Sequence, residues 1–228
     1  MTNSRARRHL AHPRNIAIFG GSFDPIHVGH LAVASAAQRR FRLDEIHFVV
    51  AGRPPHKPKR AAAPFAHRFA LVALACAGHA RFVPSLAEAG DDFSGHRTFY
   101  SIDTVRHFRL RYPGDRLFFL LGVDSFLEIP AWRSYAALLR ACDFIVASRP
   151  GYRMEPLRLV IPPELLQRSA PRATHSIALR PTTVHLLDTV SSRVSSTEVR
   201  RRLRRRQSIH GLVPVRVEEY ILRQGLYR

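Results

Sequence analysis

Short apolar runs bounded by glycine, proline and polar residues alternate along this chain with longer segments whose apolar positions recur every three or four residues. The first run, Ile16-Ala17-Ile18-Phe19, stops at Gly20-Gly21, the pattern of a strand buried on both faces that ends in a turn. The spacing then predicts a helix over Val28–Arg40, with Val33, Ala37 and Phe41 on one face. Ile46–Ala51 reads as the second strand, Gly52–Arg60 as a polar loop, and Phe65–Cys76 as a helix with the stripe Phe65, Phe69, Val72 and Cys76. Arg81–Val83 is a short strand, Ile102, Val105 and Phe108 mark a helix, and Leu117–Leu121 is the most apolar strand. Phe144–Ala147 and Val184–Leu187 follow as strands, and Thr197–Arg206 and Pro214–Arg223 as helices. Alternating strands and helices build right-handed βαβ units, so the expected class is α/β with a doubly wound, mostly parallel sheet. The Pro- and Arg-rich stretch Tyr152–Arg180 reads as a peripheral insertion.

The length of 228 residues suits one core. Residues 1–14, with Arg5, Arg7, Arg8 and Arg14 and no acidic residue, read as a disordered basic tail. The expected domain is 15–228, with 197–228 a helical C-terminal part. A formal charge of +19 favours phosphate-bearing partners through long-range attraction, although Arg-rich composition also follows from GC-rich coding. Cys76 and Cys142 sit in apolar stretches without a CxxC or His-rich neighbourhood, so they read as buried free thiols in a reducing, cytoplasmic setting. No apolar run reaches the roughly 20 residues of a membrane helix, so no membrane partner is expected.

The chemistry concentrates in Gly20-Gly21-Ser22-Phe23-Asp24-Pro25-Ile26-His27-Val28-Gly29-His30, between the first strand and the first helix. Ligands bind at the carboxyl ends of strands in such sheets. Bare glycine backbone admits phosphate oxygens, and the helix N-terminus adds favourable potential. His27 and His30, three apart, fall on one helix face and reach one crevice. A lone HxxH more often caps or packs a helix; the surrounding glycines and Asp-Pro shift the balance toward phosphate binding. Zinc wants a third ligand that the sequence does not supply. Late in the chain, Val194-Ser195-Ser196-Thr197-Glu198-Val199-Arg200 offers Ser196 or Thr197 as an N-cap and Arg200 further along the helix, a second phosphate clamp. Arg201, Arg202, Arg204, Arg205 and Arg206 read as a solvated face that steers anions.

These two segments resemble the GxFDPxHxGH and ISSTxIR motifs of the HxGH nucleotidyltransferase superfamily. The likeness is closer still to the bacterial nicotinate-nucleotide adenylyltransferases, from Asn15 to Arg228. The resemblance implies a Rossmann-like nucleotidyltransferase fold, with His27, His30 and Arg200 as the catalytic group. It implies that Gly20, Gly21, Ser22, Phe23, Gly122, Asp124, Ser195, Ser196 and Thr197 bind ATP, which carries Mg²⁺. Pro54-Pro55-His56-Lys57, Tyr100-Ser101-Ile102-Asp103-Thr104 and Trp132 are similar to the family's acceptor segments. They imply acceptor contacts from His56, Lys57, Tyr100, Ser101 and Trp132, joined by Asp24 and by Arg149 of Arg149-Pro150-Gly151-Tyr152. Phe99 and Ser101 depart from the family's usual Ser and Thr.

The implied reaction transfers the adenylyl group of ATP to nicotinate mononucleotide. Nicotinamide mononucleotide or phosphopantetheine as acceptor, and a non-catalytic nucleic-acid binder, are the rivals. No aromatic RNA-binding motif favours the last. The sequence contains no GxxxxGK[ST], GxGxxG or GxSxG. It leaves open whether the protein is a homo-oligomer and whether the pyridine carries acid or amide.

Overall fold

The computed structural model describes residues 12–52, 63–90, 98–167, 175–188 and 194–228. Its strands are β1 (Asn15–Gly21), β2 (Glu45–Val50), β3 (Phe82–Ser85), β4 (Arg116–Gly122), β5 (Asp143–Ala147), β6 (Ser176–Ala178) and β7 (Thr183–Leu187). They form one sheet in the order β3-β2-β1-β4-β5-β7-β6. Every pairing is parallel except β6 against β7. The expected doubly wound, mostly parallel α/β architecture is therefore present.

Period-two alternation divides the core. Ile16 and Ile18 of β1 join one layer with Phe108, Leu138 and Phe144, while Ala17 and Phe19 join the other with Ala34, Phe48 and Leu71. The first layer is covered by α3 (Ser101–Arg111), α4 (Val123–Leu127), α5 (Tyr135–Ala141) and α6 (Glu155–Leu159). The second is covered by α1 (Val28–Phe41), α2 (Phe65–Cys76), α7 (Ser196–Arg204) and α8 (Val215–Arg223). On α1 the deepest positions are Gly29, Ala34, Ala36 and Ala37; Val33 and Phe41 lie at the margin, so small side chains bring this helix close to the sheet.

Two sequence expectations change. The Tyr152–Arg180 stretch is no mere insertion, because it holds α6 and the antiparallel edge strand β6, and its Leu157, Ile161, Leu165, Ile177 and Leu179 are buried. Scattered apolar residues among Pro and Arg carry no period, which is why the pattern hid them. Arg14 is not loose: its guanidinium lies 3.0 Å from Glu45 and 2.8 Å from Asp115, tying the start of β1 to β2 and to the turn before β4. Residues 1–11 lie outside the described part.

Phe144 is fully buried, with its ring centroid 5.9 Å from Phe119 and 5.7 Å from Phe126. Phe144→Ala is expected to cost about 3–5 kcal/mol through lost transfer energy and the cavity left behind. Urea denaturation should show a lower midpoint at an unchanged slope; an unchanged midpoint would contradict this packing.

Candidate active site

The chain runs outward from β1 through β2 to β3, then returns to the other side of β1 as β4. The crossovers diverge there, so a crevice opens at the carboxyl ends of β1 and β4. A cavity of about 660 Å³ occupies it, walled by Gly20, Gly21, His27, His30, Asp124 and Arg200 among others. A second, of about 210 Å³, is walled by Glu88, Tyr100, Ser101, Phe119, Trp132 and Arg133 among others. The two share Gly20, Gly21, Ser22, Gly122 and Ser125, so they meet over the bare strand ends.

Gly21 is tightly placed sterically as well as open for access. A Cβ there would lie 3.0 Å from the ring of Phe23, which is buried and fixed at φ +44°. Phe23 and Phe19 in turn flank His30, with ring centroids 5.1 and 6.1 Å away. The rings of His27 and His30 sit 3.7 Å apart at 30°. The backbone N–H of His27 donates to Nδ1 of His30 at 3.2 Å, so a neutral His30 carries its proton on Nε2. Nδ1 of His27 is buried and has no hydrogen-bond partner among the described residues. Burial lowers His27 to about 4, and burial together with the neighbouring His27 lowers His30 to about 3. Both imidazoles are thus neutral at neutral pH, each with one N–H to donate.

The late motif comes to the same place. Nη1 of Arg200 donates to the carbonyl of Asp24 at 2.6 Å, and the Ser196 hydroxyl donates to that of Pro25 at 2.9 Å. Val194, Ser196, Thr197 and Arg200 all wall the larger cavity. Ser195, expected at the nucleotide, is the N-cap of α7: its Oγ accepts from the N–H of Glu198 at 3.2 Å. The cap therefore lies one residue earlier than expected, since Ser196 is spent on the turn.

Asp24, expected at the acceptor, is buried beside the larger cavity; its Oδ1 accepts from the Tyr227 hydroxyl at 2.8 Å and from the N–H of Ala63 at 3.2 Å. Arg149 likewise walls the larger cavity, not the smaller one. Tyr100, Ser101 and Trp132 do gather around the smaller cavity, with the indole edge-on to Phe119 at 6.1 Å. His56 and Lys57 lie outside the described residues.

Sequence reasoning missed Arg68. This guanidinium, 2% exposed, donates to the carbonyls of Ser22 (2.8 Å), Ala51 (2.8 Å), Gly52 (3.3 Å) and Ala63 (3.2 Å). It binds the glycine turn to the end of β2 and to the start of α2. An arginine inside an apolar helical stripe, on the face of Phe65 and Val72, was the available signal. Glu88 was missed too: its carboxylate accepts from the Thr104 hydroxyl at 2.7 Å, and burial raises its pKa against the pull of hydrogen bonds from Thr104 and the Gly52 backbone.

Residues 18–202 match the family model described as cytidylyltransferase-like. The chain is 38% identical over 224 residues to a probable nicotinate-nucleotide adenylyltransferase of Moorella thermoacetica, covering 96% of this chain and 94% of that protein. A protein of the same description from Solibacter usitatus is 41% identical over 200 residues, covering 87% and 92%. Among solved structures, the Plasmodium falciparum nicotinic acid mononucleotide adenylyltransferase complexed with NaAD has the same fold. Its TM-score is 0.69 at 20% identity, with 94% of this chain and 97% of that chain covered.

Two outcomes follow from the geometry. Arg68→Lys cannot reach all four carbonyls, so roughly 3 kcal/mol of stability should be lost, seen as a lower denaturant midpoint. An unaltered midpoint would remove Arg68 from this role. In the unfolded chain the imidazoles protonate near pH 6.5, and in the folded protein only near 4 and 3. Between these values the unfolded state binds more protons, so stability is full above about pH 6.5 and falls as pH drops. From pH 7 to pH 5 the pair should lose on the order of 2 kcal/mol per imidazole. Thermal melts of a His27→Asn/His30→Asn variant should fall less over that range than those of the native protein, whose His47 and His185 shifts are common to both.

Proposed function

The chain belongs to the cytidylyltransferase-like family, among relatives described as nicotinate-nucleotide adenylyltransferases, and from that premise we propose that it joins the adenylyl group of ATP to nicotinate mononucleotide. The products are nicotinate adenine dinucleotide and pyrophosphate, a step of NAD biosynthesis. What carries this reading is the pair of adjoining cavities: one faced by two imidazoles and by arginines that include Arg200, the other by tyrosine and tryptophan, meeting at glycine backbone.

ATP takes the larger cavity, its phosphates beside His27, His30 and Arg200 and the backbone of Gly20–Phe23, with Asp124, Ser196 and Thr197 in the same wall. The pyridine nucleotide takes the smaller, its ring against Trp132. A 5′-phosphate oxygen of the acceptor attacks the α-phosphorus in line, and the bond to the bridging oxygen breaks as pyrophosphate leaves with its electron pair. The attacking phosphate is already anionic, so no strong general base is needed. Alignment and charge neutralisation carry the rate. His27 and His30 donate N–H to the phosphates, and the approach of the polyanion raises their proton affinity as charge builds. Arg200 keeps further N–H groups beyond the one given to Asp24.

The carboxylates in the larger wall are Asp124 and Asp24, the latter bonded to Tyr227 and Ala63. Such a donor set fits a cation carried on the nucleotide rather than one caged by side chains. When bound, Mg²⁺ would offset charge on the leaving pyrophosphate. Both cysteines are free and buried, and among the described residues no helix is long and apolar enough to cross a membrane. We place the reaction in the cytoplasm.

Pyrophosphate release should occur with ATP, Mg²⁺ and nicotinate mononucleotide, and be weak with phosphopantetheine. Release with phosphopantetheine alone would overturn the assignment. His27→Ala should lower kcat about 10²–10³-fold while leaving the melting temperature close to the native value. Equal turnover in that variant would take His27 out of the mechanism.

A further inference from the structure

The acceptor cavity contains a charged group that no step above uses. Arg133 follows Trp132, walls the smaller cavity, and holds its guanidinium 4.6 Å from the centroid of the Tyr100 ring. Among the described residues it forms no ion pair, and it is the one cation in that wall. The same wall contains two carboxylates. Glu88 is occupied by the Thr104 hydroxyl and the Gly52 N–H, and Glu128, like Arg133 itself, is exposed to solvent at the cavity mouth.

The competing pyridine nucleotides have nearly the same shape and differ by one full charge. Both rings are N-ribosylated and therefore cationic. The acid offsets that charge with its carboxylate, and the amide does not. A wall holding only Glu88 and Glu128 would favour the uncompensated cation. Arg133 opposes this preference, because it attracts the carboxylate and repels a bare pyridinium. Stacking on Tyr100 also fixes the planar fork, so little side-chain freedom remains to be lost when a carboxylate arrives. A planar guanidinium matches a carboxylate with two parallel N–H donors.

Building on the adenylyltransferase reading, we propose that Arg133 is the residue by which this protein selects the acid over the amide at the pyridine ring, pairing its guanidinium with the ring carboxylate while Tyr100 holds it in place.

Trp132 is the only tryptophan of the chain, so its fluorescence reports occupancy of the acceptor cavity directly. Titrating the full-length protein with nicotinate mononucleotide and with nicotinamide mononucleotide gives both dissociation constants without turnover. Arg133→Gln should weaken binding of the acid about tenfold and leave the amide equal or tighter. Arg133→Glu should bring the two acceptors level or reverse them, and Arg133→Lys, which keeps the charge and loses the planar fork, should retain part of the preference. In steady-state kinetics the loss should appear in KM for the acid acceptor, with KM for ATP unmoved. If Arg133→Gln weakens both acceptors by the same factor, the arginine only supports Tyr100, and the proposal is overturned. It is equally overturned if the ratio of affinities does not change. Failure of the adenylyltransferase reading looks different: the native protein would then release no pyrophosphate with nicotinate mononucleotide.

Discussion

The segment from Ser22 to Pro25 lies between a strand and a helix, and its carbonyls have no ladder to enter. Buried backbone groups must be paired, and here the partners are side chains from remote parts of the chain. Arg68 takes the Ser22 carbonyl, Arg200 that of Asp24, and the Ser196 hydroxyl that of Pro25, while Tyr227 and the N–H of Ala63 take the Asp24 carboxylate. The C-terminal elements cover this turn, and Leu212 accepts the N–H of Val28 at the start of α1. The position of both imidazoles, and of the glycine backbone beside them, depends on this cross-linking.

This arrangement gives Arg200 a structural task beside the chemical one proposed for it. One N–H pins the turn, and the fixed guanidinium then faces the same cavity as His27 and His30. A donor already held in place need not reorganise when charge develops on the phosphates. The histidines contribute in a different manner. Their burial, with His30 against Phe19 and Phe23, keeps them uncharged in the free protein, which costs stability in acid. It also leaves them responsive, since a bound polyanion restores the proton affinity that desolvation removed.

The sheet was legible because β1, β4 and β5 are apolar on both faces, which in this size of chain means a parallel core. His27, His30, Arg200 and the glycines were legible because the first two lie within one helical turn and the others abut strand or helix ends. Contacts over 170 residues of chain, such as Ser196 to Pro25, leave no local trace. Ser195 shows the same limit: whether a serine caps its own helix or reaches another segment depends on how that helix docks. Arg68 was hidden by its setting in an apolar helix, where a charge reads as an interruption rather than as the partner of four carbonyls. β6 was hidden because three residues are too few to show a period, and only pairing with β7 makes them a strand.

The uneven use of positive charge separates the two substrates. The arginines beyond Arg200 on α7 pair with Glu198 or face solvent, so they add long-range attraction that salt screens. Every polyanion in the cell shares that attraction, and it cannot choose between acceptors. Selection needs a charge inside a cavity where geometry decides what approaches it. On the ATP side of the proposed site the geometry is supplied by backbone, neutral rings and the pinned Arg200, which offer phosphate directed hydrogen bonds. On the acceptor side stacking on Trp132 is nearly blind to the ring substituent, because acid and amide present the same π face. A preference between them can come from the charged groups around that ring, and among the described residues these are Arg133 against Glu88 and Glu128.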